Sequence, residues 1–136
     1  MNESAEARQR FLKNALTGNA IFSVISGLAI LSSNRWLVRF LGLPEKVSLA
    51  ILGVSLIGYA AVLWLNARRT RIKISDAWIA VVMDTVWVVG SYVLILLVPF
   101  SLGGKWVVGL VAELVLAFAI LQWLGIRRIR KSSQYA

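Results

Sequence analysis

Four long apolar stretches alternate with short polar segments along this chain of 136 residues. The stretches cover residues 15–33, 47–66, 77–98 and 106–126. A helix needs about 20 largely apolar residues to cross a hydrocarbon core about 30 Å thick, and each stretch meets or approaches that length. None shows the two-residue alternation of a transmembrane barrel strand. The pattern therefore predicts an all-α fold, an antiparallel bundle of four transmembrane helices that forms a single membrane domain over residues 1–136.

The segment between the first two stretches, residues 34–41, mixes bulky apolar side chains with two arginines. At helical spacing, Trp36 and Phe40 share one face, and Arg35 and Arg39 lie together beside it. This arrangement favours a short helix that lies in the membrane interface with its arginine side chains reaching toward the head groups. The alternative is an ordinary loop with aromatic anchors.

The distribution of basic residues predicts the topology. The chain has 15 Lys and Arg against 6 Asp and Glu, with a net charge of +9. Four crossings place both tails and the second loop on one side, which then carries eleven of the basic residues against four on the other. The positive-inside rule therefore predicts a multi-pass protein of the cell membrane, the cytoplasmic membrane, with both termini in the cytoplasm.

Two basic clusters on that cytoplasmic side are predicted to meet anionic lipid head groups. The candidate residues are Arg68, Arg69, Arg71, Lys73, Arg127, Arg128, Arg130 and Lys131. On a soluble chain this charge would raise the question of nucleic-acid binding. Here the basic residues flank membrane segments and no nucleic-acid-binding motif is present, so we expect no nucleic-acid partner.

The chain contains no cysteine and no histidine. Disulfides, thiol redox chemistry, Cys/His zinc sites and haem ligation by His or Cys are thereby excluded. No catalytic signature such as GxSxG, HExxH or a P-loop is present. We therefore predict no enzyme, no catalytic residues, no cofactor and no metal site. Residues 7–33 resemble a signal peptide in charge and hydropathy but lack a small-x-small cleavage site, so we expect a retained first helix.

Two carboxyl groups inside the apolar stretches, Asp84 and Glu113, are the most informative polar positions. A charge at the bilayer centre costs about 2.5–3.5 kcal/mol, so both side chains are predicted to face the bundle interior. Helical rise of 1.5 Å per residue places the intramembrane polar candidates on two levels. The inner level consists of Asp84, Tyr59 and Asn19, with Trp87 packed beside Asp84. The outer level consists of Glu113, Ser55 and Ser91, and Arg35 or Arg39 is expected to reach Glu113.

Two interpretations of these carboxyl groups remain open. In the first, they are satisfied by hydrogen bonds and fix the register of the helices. In the second, they form a relay or a binding cavity, since intramembrane ionisable residues are often functional. Gln122 is expected to point away from Glu113 and to be solvated near the cytoplasmic interface.

Three sequence segments resemble a group of small, uncharacterised bacterial four-helix membrane proteins. The segments are Thr17-Gly18-Asn19-Ala20, Phe40-Leu41-Gly42-Leu43-Pro44 and Asp84-Thr85-Val86-Trp87-Val88-Val89-Gly90-Ser91. The resemblance implies a four-helix integral protein of the bacterial inner membrane and implies no chemistry. The chain is also similar in length and helix count to small multidrug-resistance transporters, but its first helix lacks their essential glutamate.

These observations favour a small non-enzymatic membrane protein. We expect an accessory or interaction subunit that binds lipid, a partner membrane protein or another copy of itself. The alternative is a small oligomeric proton-coupled transporter or ion pathway that uses Asp84 and Glu113. Four helices enclose little space, so that alternative requires self-association.

Overall fold

The structure is a computed structural model that describes the backbone of residues 2–134 and the side chains of residues 2–132. Within that range the chain is helical, with short connections and no strand. The five helices are α1 (Glu3–Ser32), α2 (Asn34–Phe40), α3 (Ala50–Ala67), α4 (Ile74–Leu97) and α5 (Leu102–Gln134). Four of them, all but α2, are long and apolar enough to cross a membrane.

Two of the long helices extend well beyond the apolar stretches that predicted them. At the start of α1, the Asn2 side chain accepts a hydrogen bond of 2.8 Å from the Ala5 backbone N–H. Glu3 and Glu6 lie in the first turn, where carboxylates interact favourably with the helix dipole. At the other end of the chain, α5 continues through the basic segment to Gln134. Hydropathy marks the apolar part of a helix and leaves its polar extensions undetected.

The long helices pack mainly as two pairs. α1 packs on α3, α4 packs on α5, and the pairs are joined through contacts between α1 and α5. The last two apolar helices of the chain therefore pack as neighbours. By contrast, α3 and α4 touch at few positions although they follow each other in the chain. A groove of about 220 Å³ lies between them, lined by residues such as Tyr59, Leu63, Ala80 and Met83.

Small residues set the distance between α1 and α3. A Cβ built on Gly27 would lie 2.7 Å from the Gly53 carbonyl oxygen, and one on Gly53 would lie 2.9 Å from Leu31 Cγ. Any larger residue at Gly27 would therefore force the two helix backbones apart. Such close approach through small residues is typical of membrane helix packing, where dispersion contacts replace the hydrophobic effect between helices.

The buried core lies toward the end of the bundle that holds the start of α1 and the end of α5. Its members are Leu12, Leu16, Ala20, Ala60, Leu63, Ala67, Ile72, Ala77, Ala80 and Ile126. At this end Gln9 accepts a hydrogen bond of 3.1 Å from the Ile72 backbone N–H, and the Arg128 guanidinium lies 4.4 Å from the Phe11 ring centroid. These contacts bring α1, the α3–α4 loop and α5 together.

The opposite end is closed by α2, which packs against the turn between α4 and α5. The Ser101 hydroxyl donates to the Phe40 carbonyl oxygen at 2.5 Å, and the Ser101 backbone N–H donates to the Leu41 carbonyl oxygen at 2.9 Å. Gly42 has a φ of 73°, and a Cβ there would lie 2.9 Å from Ser101 N. The positive φ and the close approach both require glycine at this turn.

The outer surface of the long helices is strongly apolar. Ile51 is 82% exposed, Leu96 84% and Leu97 76%, and many other Val, Leu and Ile side chains are also exposed. Large apolar surfaces of this kind are rare on soluble monomers and are expected where lipid covers the protein.

Candidate functional site

The four long helices each contribute one polar side chain to a buried cluster around Asp84. Asn19 of α1 donates from Nδ2 to Asp84 Oδ2 at 2.7 Å, and Gln122 of α5 donates from Nε2 to the same oxygen at 2.7 Å. Tyr59 of α3 donates its hydroxyl to Asp84 Oδ1 at 2.9 Å. Both oxygens of the carboxyl group therefore have donors, and we call these four residues the Asp84 cluster.

The surroundings of the Asp84 cluster explain why polar side chains can lie there. Asp84 is 3% exposed and Asn19 1% exposed. Ala20 of α1, Ala60 of α3 and Ala80 of α4 belong to the buried core next to them. Alanine lets the helices approach closely enough for short side chains to bridge them. Ser23 adds a longer contact by donating to Asn19 Oδ1 at 3.4 Å. A network satisfied in this way holds its helices in one register.

The predicted inner level is thus present in its geometry, since Asn19 and Tyr59 both contact Asp84. Trp87 is half-buried on the same helix. Its indole Nε1 is buried and finds no hydrogen-bond acceptor among the described residues.

The expectation for Gln122 is wrong. This side chain is 0% exposed, and its amide donates to Asp84 and to the Phe118 carbonyl oxygen. Ala112, Val115, Ala119, Gln122 and Ile126 recur at spacings of three and four and are all buried, so they form the inner face of α5. That periodicity was the sequence signal for Gln122, since small and apolar residues define the face around it.

The expectation for Glu113 is also wrong. The side chain is exposed and lies one position beyond the inner face of α5. Its carboxylate accepts a hydrogen bond from the Tyr92 hydroxyl of α4, which is 41% exposed. The Tyr92–Glu113 pair therefore lies on the outer surface of the α4–α5 pair, away from the Asp84 cluster.

The predicted outer level does not form. Ser55 is exposed and donates to the Ile51 carbonyl oxygen of its own helix at 2.7 Å. Ser91 is buried but donates to the Trp87 carbonyl oxygen of its own helix, also at 2.7 Å. Serines in membrane helices commonly satisfy their hydroxyl in this way. Neither Arg35 nor Arg39 contacts Glu113, and both line a cavity beside α2 instead.

The basic candidates lie at the end of the bundle that holds the α3–α4 loop and the end of α5. The Arg68 guanidinium lies 5.8 Å from the Trp64 ring centroid, and that of Arg127 lies 4.7 Å from the Trp123 ring centroid. Lys73 forms an ion pair of 3.7 Å with Asp76. Among the residues that the structure describes, no group of three carboxylate, His or Cys side chains is arranged to hold a metal ion.

Comparison of the chain with protein-family models, curated proteins and solved structures finds no match. The class of protein therefore follows from the fold alone. Four apolar helices with a lipid-compatible surface indicate a multi-pass membrane protein.

Proposed function

We propose that this chain is a non-enzymatic protein of the cell membrane that acts by associating with another transmembrane chain. The association surface is the exposed face of α4 and α5 around Tyr92 and Glu113. Both termini would lie in the cytoplasm, the four long helices would cross the membrane in antiparallel order, and α2 would lie in the opposite interface. The distribution of basic residues and the contacts at the two ends of the bundle support this arrangement.

The observation that carries the proposal is the exposed Tyr92–Glu113 pair. Glu113 lies seven residues beyond Trp106 in α5, which corresponds to a depth of about 10 Å from that tryptophan. Tyr92 donates to one of its two oxygens, and both side chains remain exposed. An ionisable group that faces hydrocarbon is costly, whereas a polar group on a second transmembrane chain would pair with it.

The residues around Glu113 suit a helix contact. Gly109 lies one turn before Glu113 and Ala117 one turn after it, so small side chains flank the carboxylate along the helix. A Cβ on Gly109 would meet no atom closer than Ile95 Cδ1 at 3.9 Å, so packing inside this chain does not require that glycine. Small residues next to a polar group are typical of contacts between membrane helices.

The hydrogen bonds of the Asp84 cluster support the idea that the interior of the bundle holds the helices together. Its carboxyl oxygens receive three hydrogen bonds from the three other long helices. Glu113 shares none of these partners, which weakens the idea of a relay that passes through both carboxyl groups.

Proximity crosslinking tests the proposed surface. The chain has no cysteine, so a single cysteine at Ala117 carries a benzophenone label without competing sites. Irradiation in native membranes should give an adduct with a second transmembrane chain, and Glu113→Leu should abolish it. A cysteine at Ile51, which is 82% exposed on α3, is the matched control and should give no specific adduct. Equal adducts from both positions, or none from position 117, would show that the surface is wrong.

Proton-coupled transport is the second candidate, and one observation favours it. Tyr59 lines the groove between α3 and α4 and also donates to Asp84, so one side chain separates the groove from the buried carboxyl group. Transport by purified protein in liposomes, with a pH dependence that Asp84→Asn and Glu113→Gln both remove, would replace the association proposal with this one.

A further inference from the structure

A polar cavity of about 350 Å³ lies between α2 and the segment that leads into α3. We call it the α2 cavity. Its polar lining is Asn34, Arg35, Arg39, Glu45, Lys46 and Ser48. The cavity lies at the opposite end of the bundle from the two basic clusters that the sequence predicts to meet lipid, so those clusters do not account for it.

The α2 cavity carries an excess of positive charge. Three cationic side chains, Arg35, Arg39 and Lys46, share it with one carboxylate, Glu45. In the part of the chain that the structure describes, none of the three cations forms an ion pair with a carboxylate. Arg35 and Arg39 are four residues apart on α2 and therefore project from the same side of the helix. The cavity offers several N–H donors and no internal counter-charge that matches them.

The walls of the α2 cavity are held in place from both sides. The Asn34 side chain donates to Ser48 Oγ at 3.3 Å and accepts from the Leu49 backbone N–H at 2.9 Å, which ties the start of α2 to the start of α3. Val38, on the side of α2 that faces the protein, is 3% exposed. Together with the contacts of Ser101 to the end of α2, these bonds fix the helix that carries the two arginines.

The α2 cavity lies where the chain turns between two helices that are long enough to span the membrane. Its residues follow the end of α1 directly and precede the start of α3. Trp36 is 62% exposed and stacks on Phe40 with ring centroids 5.1 Å apart. Exposed aromatic side chains of this kind prefer the head-group zone of a bilayer.

We propose that the α2 cavity binds a phosphate-bearing anion. The arginine guanidinium groups would bind phosphate oxygens through paired N–H donors, and Lys46 would add a third positive charge. A phospholipid head group and free phosphate share this chemistry. The site is separate from the face of α4 and α5 and is independent of the proposed association.

Calorimetric titration of the purified chain in a neutral detergent tests the site. The two ligands are inorganic phosphate and a short-chain, water-soluble phosphatidylglycerol. Saturable binding of phosphate assigns a site for the free anion, and binding of the lipid alone assigns a head-group site. In either case Arg39→Gln should weaken binding about tenfold, since it removes one charge-assisted contact. Glu45→Gln should tighten binding severalfold, because it removes the only negative charge lining the cavity.

The matched control is Lys105→Gln, which removes one positive charge from an exposed position at the start of α5 outside the cavity. It should change the affinity by less than twofold. Absence of saturable binding for both ligands overturns the proposal, as does an equal loss in Arg39→Gln and Lys105→Gln. Because Glu45→Gln is expected to increase the affinity, unfolding of a variant cannot produce the expected result.

Discussion

Asp84 and Glu113 are carboxyl groups in two helices that pack together, yet they have opposite surroundings. Asp84 is 3% exposed and receives hydrogen bonds from α1, α3 and α5. Glu113 is exposed and is contacted by one hydroxyl from α4. The contrast teaches that depth along a membrane helix does not decide how a carboxyl group is used. The face of the helix on which the carboxyl group lies decides this.

The consequences of the two environments also differ. Removal of the Asp84 carboxyl group leaves the buried Asn19 amide without an acceptor. Tyr59 and Gln122 keep only their backbone acceptors, the carbonyl oxygens of Ala80 and Phe118. Removal of the Glu113 carboxyl group releases one exposed hydroxyl. Folding should therefore depend on Asp84, and association with another transmembrane chain should depend on Glu113.

Asp84→Ala should have the largest effect on stability. We expect the free energy of unfolding to fall by about 3 kcal/mol, because the buried Asn19 amide loses its acceptor and the hydrogen bonds from Tyr59 and Gln122 to the carboxyl group are lost as well. Thermal unfolding in detergent, followed by circular dichroism, measures this change. Asp84→Asn retains an acceptor oxygen and should lose about 1 kcal/mol. A loss below 1 kcal/mol for Asp84→Ala would show that the cluster does not hold the helices together.

Gln122→Leu should have an intermediate effect. The change removes one of the three donors to Asp84, but it also removes the buried Oε1 atom, which has no partner among the described residues. We expect a loss of about 1 kcal/mol in the same assay. Ile120→Ala is the control, since that side chain is 48% exposed on the same helix and should leave stability nearly unchanged. Equal losses in the two variants would contradict a specific role for the amide.

Glu113→Leu should have the smallest effect on folding. The side chain is exposed, and substitutions at exposed positions usually change the free energy of unfolding by less than about 0.5 kcal/mol. The same thermal assay in detergent applies, with Glu113→Gln as the matched variant that keeps the shape. If Glu113→Leu destabilised the chain as strongly as Asp84→Ala, the contrast between the two carboxyl groups would fail.

The sequence predicted much of the fold because membrane crossing imposes a strong length constraint. The four apolar stretches correspond to α1, α3, α4 and α5, and the helical spacing around Trp36 predicted the short helix α2. The contacts of Asn19 and Tyr59 with Asp84 followed from depth, since the three residues lie four to seven residues from the same end of their apolar stretches. Whether α2 lies in a membrane interface stays a prediction.

The errors share one physical origin. In a soluble helix, polar residues mark the outside, whereas in a membrane helix apolar residues cover the outside and much of the inside. The cost of a carboxylate in lipid predicts an inner position for Glu113, but the buried face of α5 lies one position away, at Ala112. Because Gln122 does not lie on the same face of α5 as Glu113, the same reasoning predicts that Gln122 lies on the outer face. Small residues lie on both faces of α5, with Ala112 and Ala119 on the buried face and Gly109 and Ala117 beside the exposed Glu113, so small residues alone do not distinguish the two faces.

The sparse contact between α3 and α4 has a consequence for biosynthesis. Most of the packing of α1 and α3 is encoded before Arg68, and most of the packing of α4 and α5 is encoded after it. The first helix pair can therefore form in the membrane while the second pair is still being translated. Asp84 can accept hydrogen bonds from Asn19 and Tyr59 only after α4 has been inserted, so the Asp84 cluster forms late in biosynthesis.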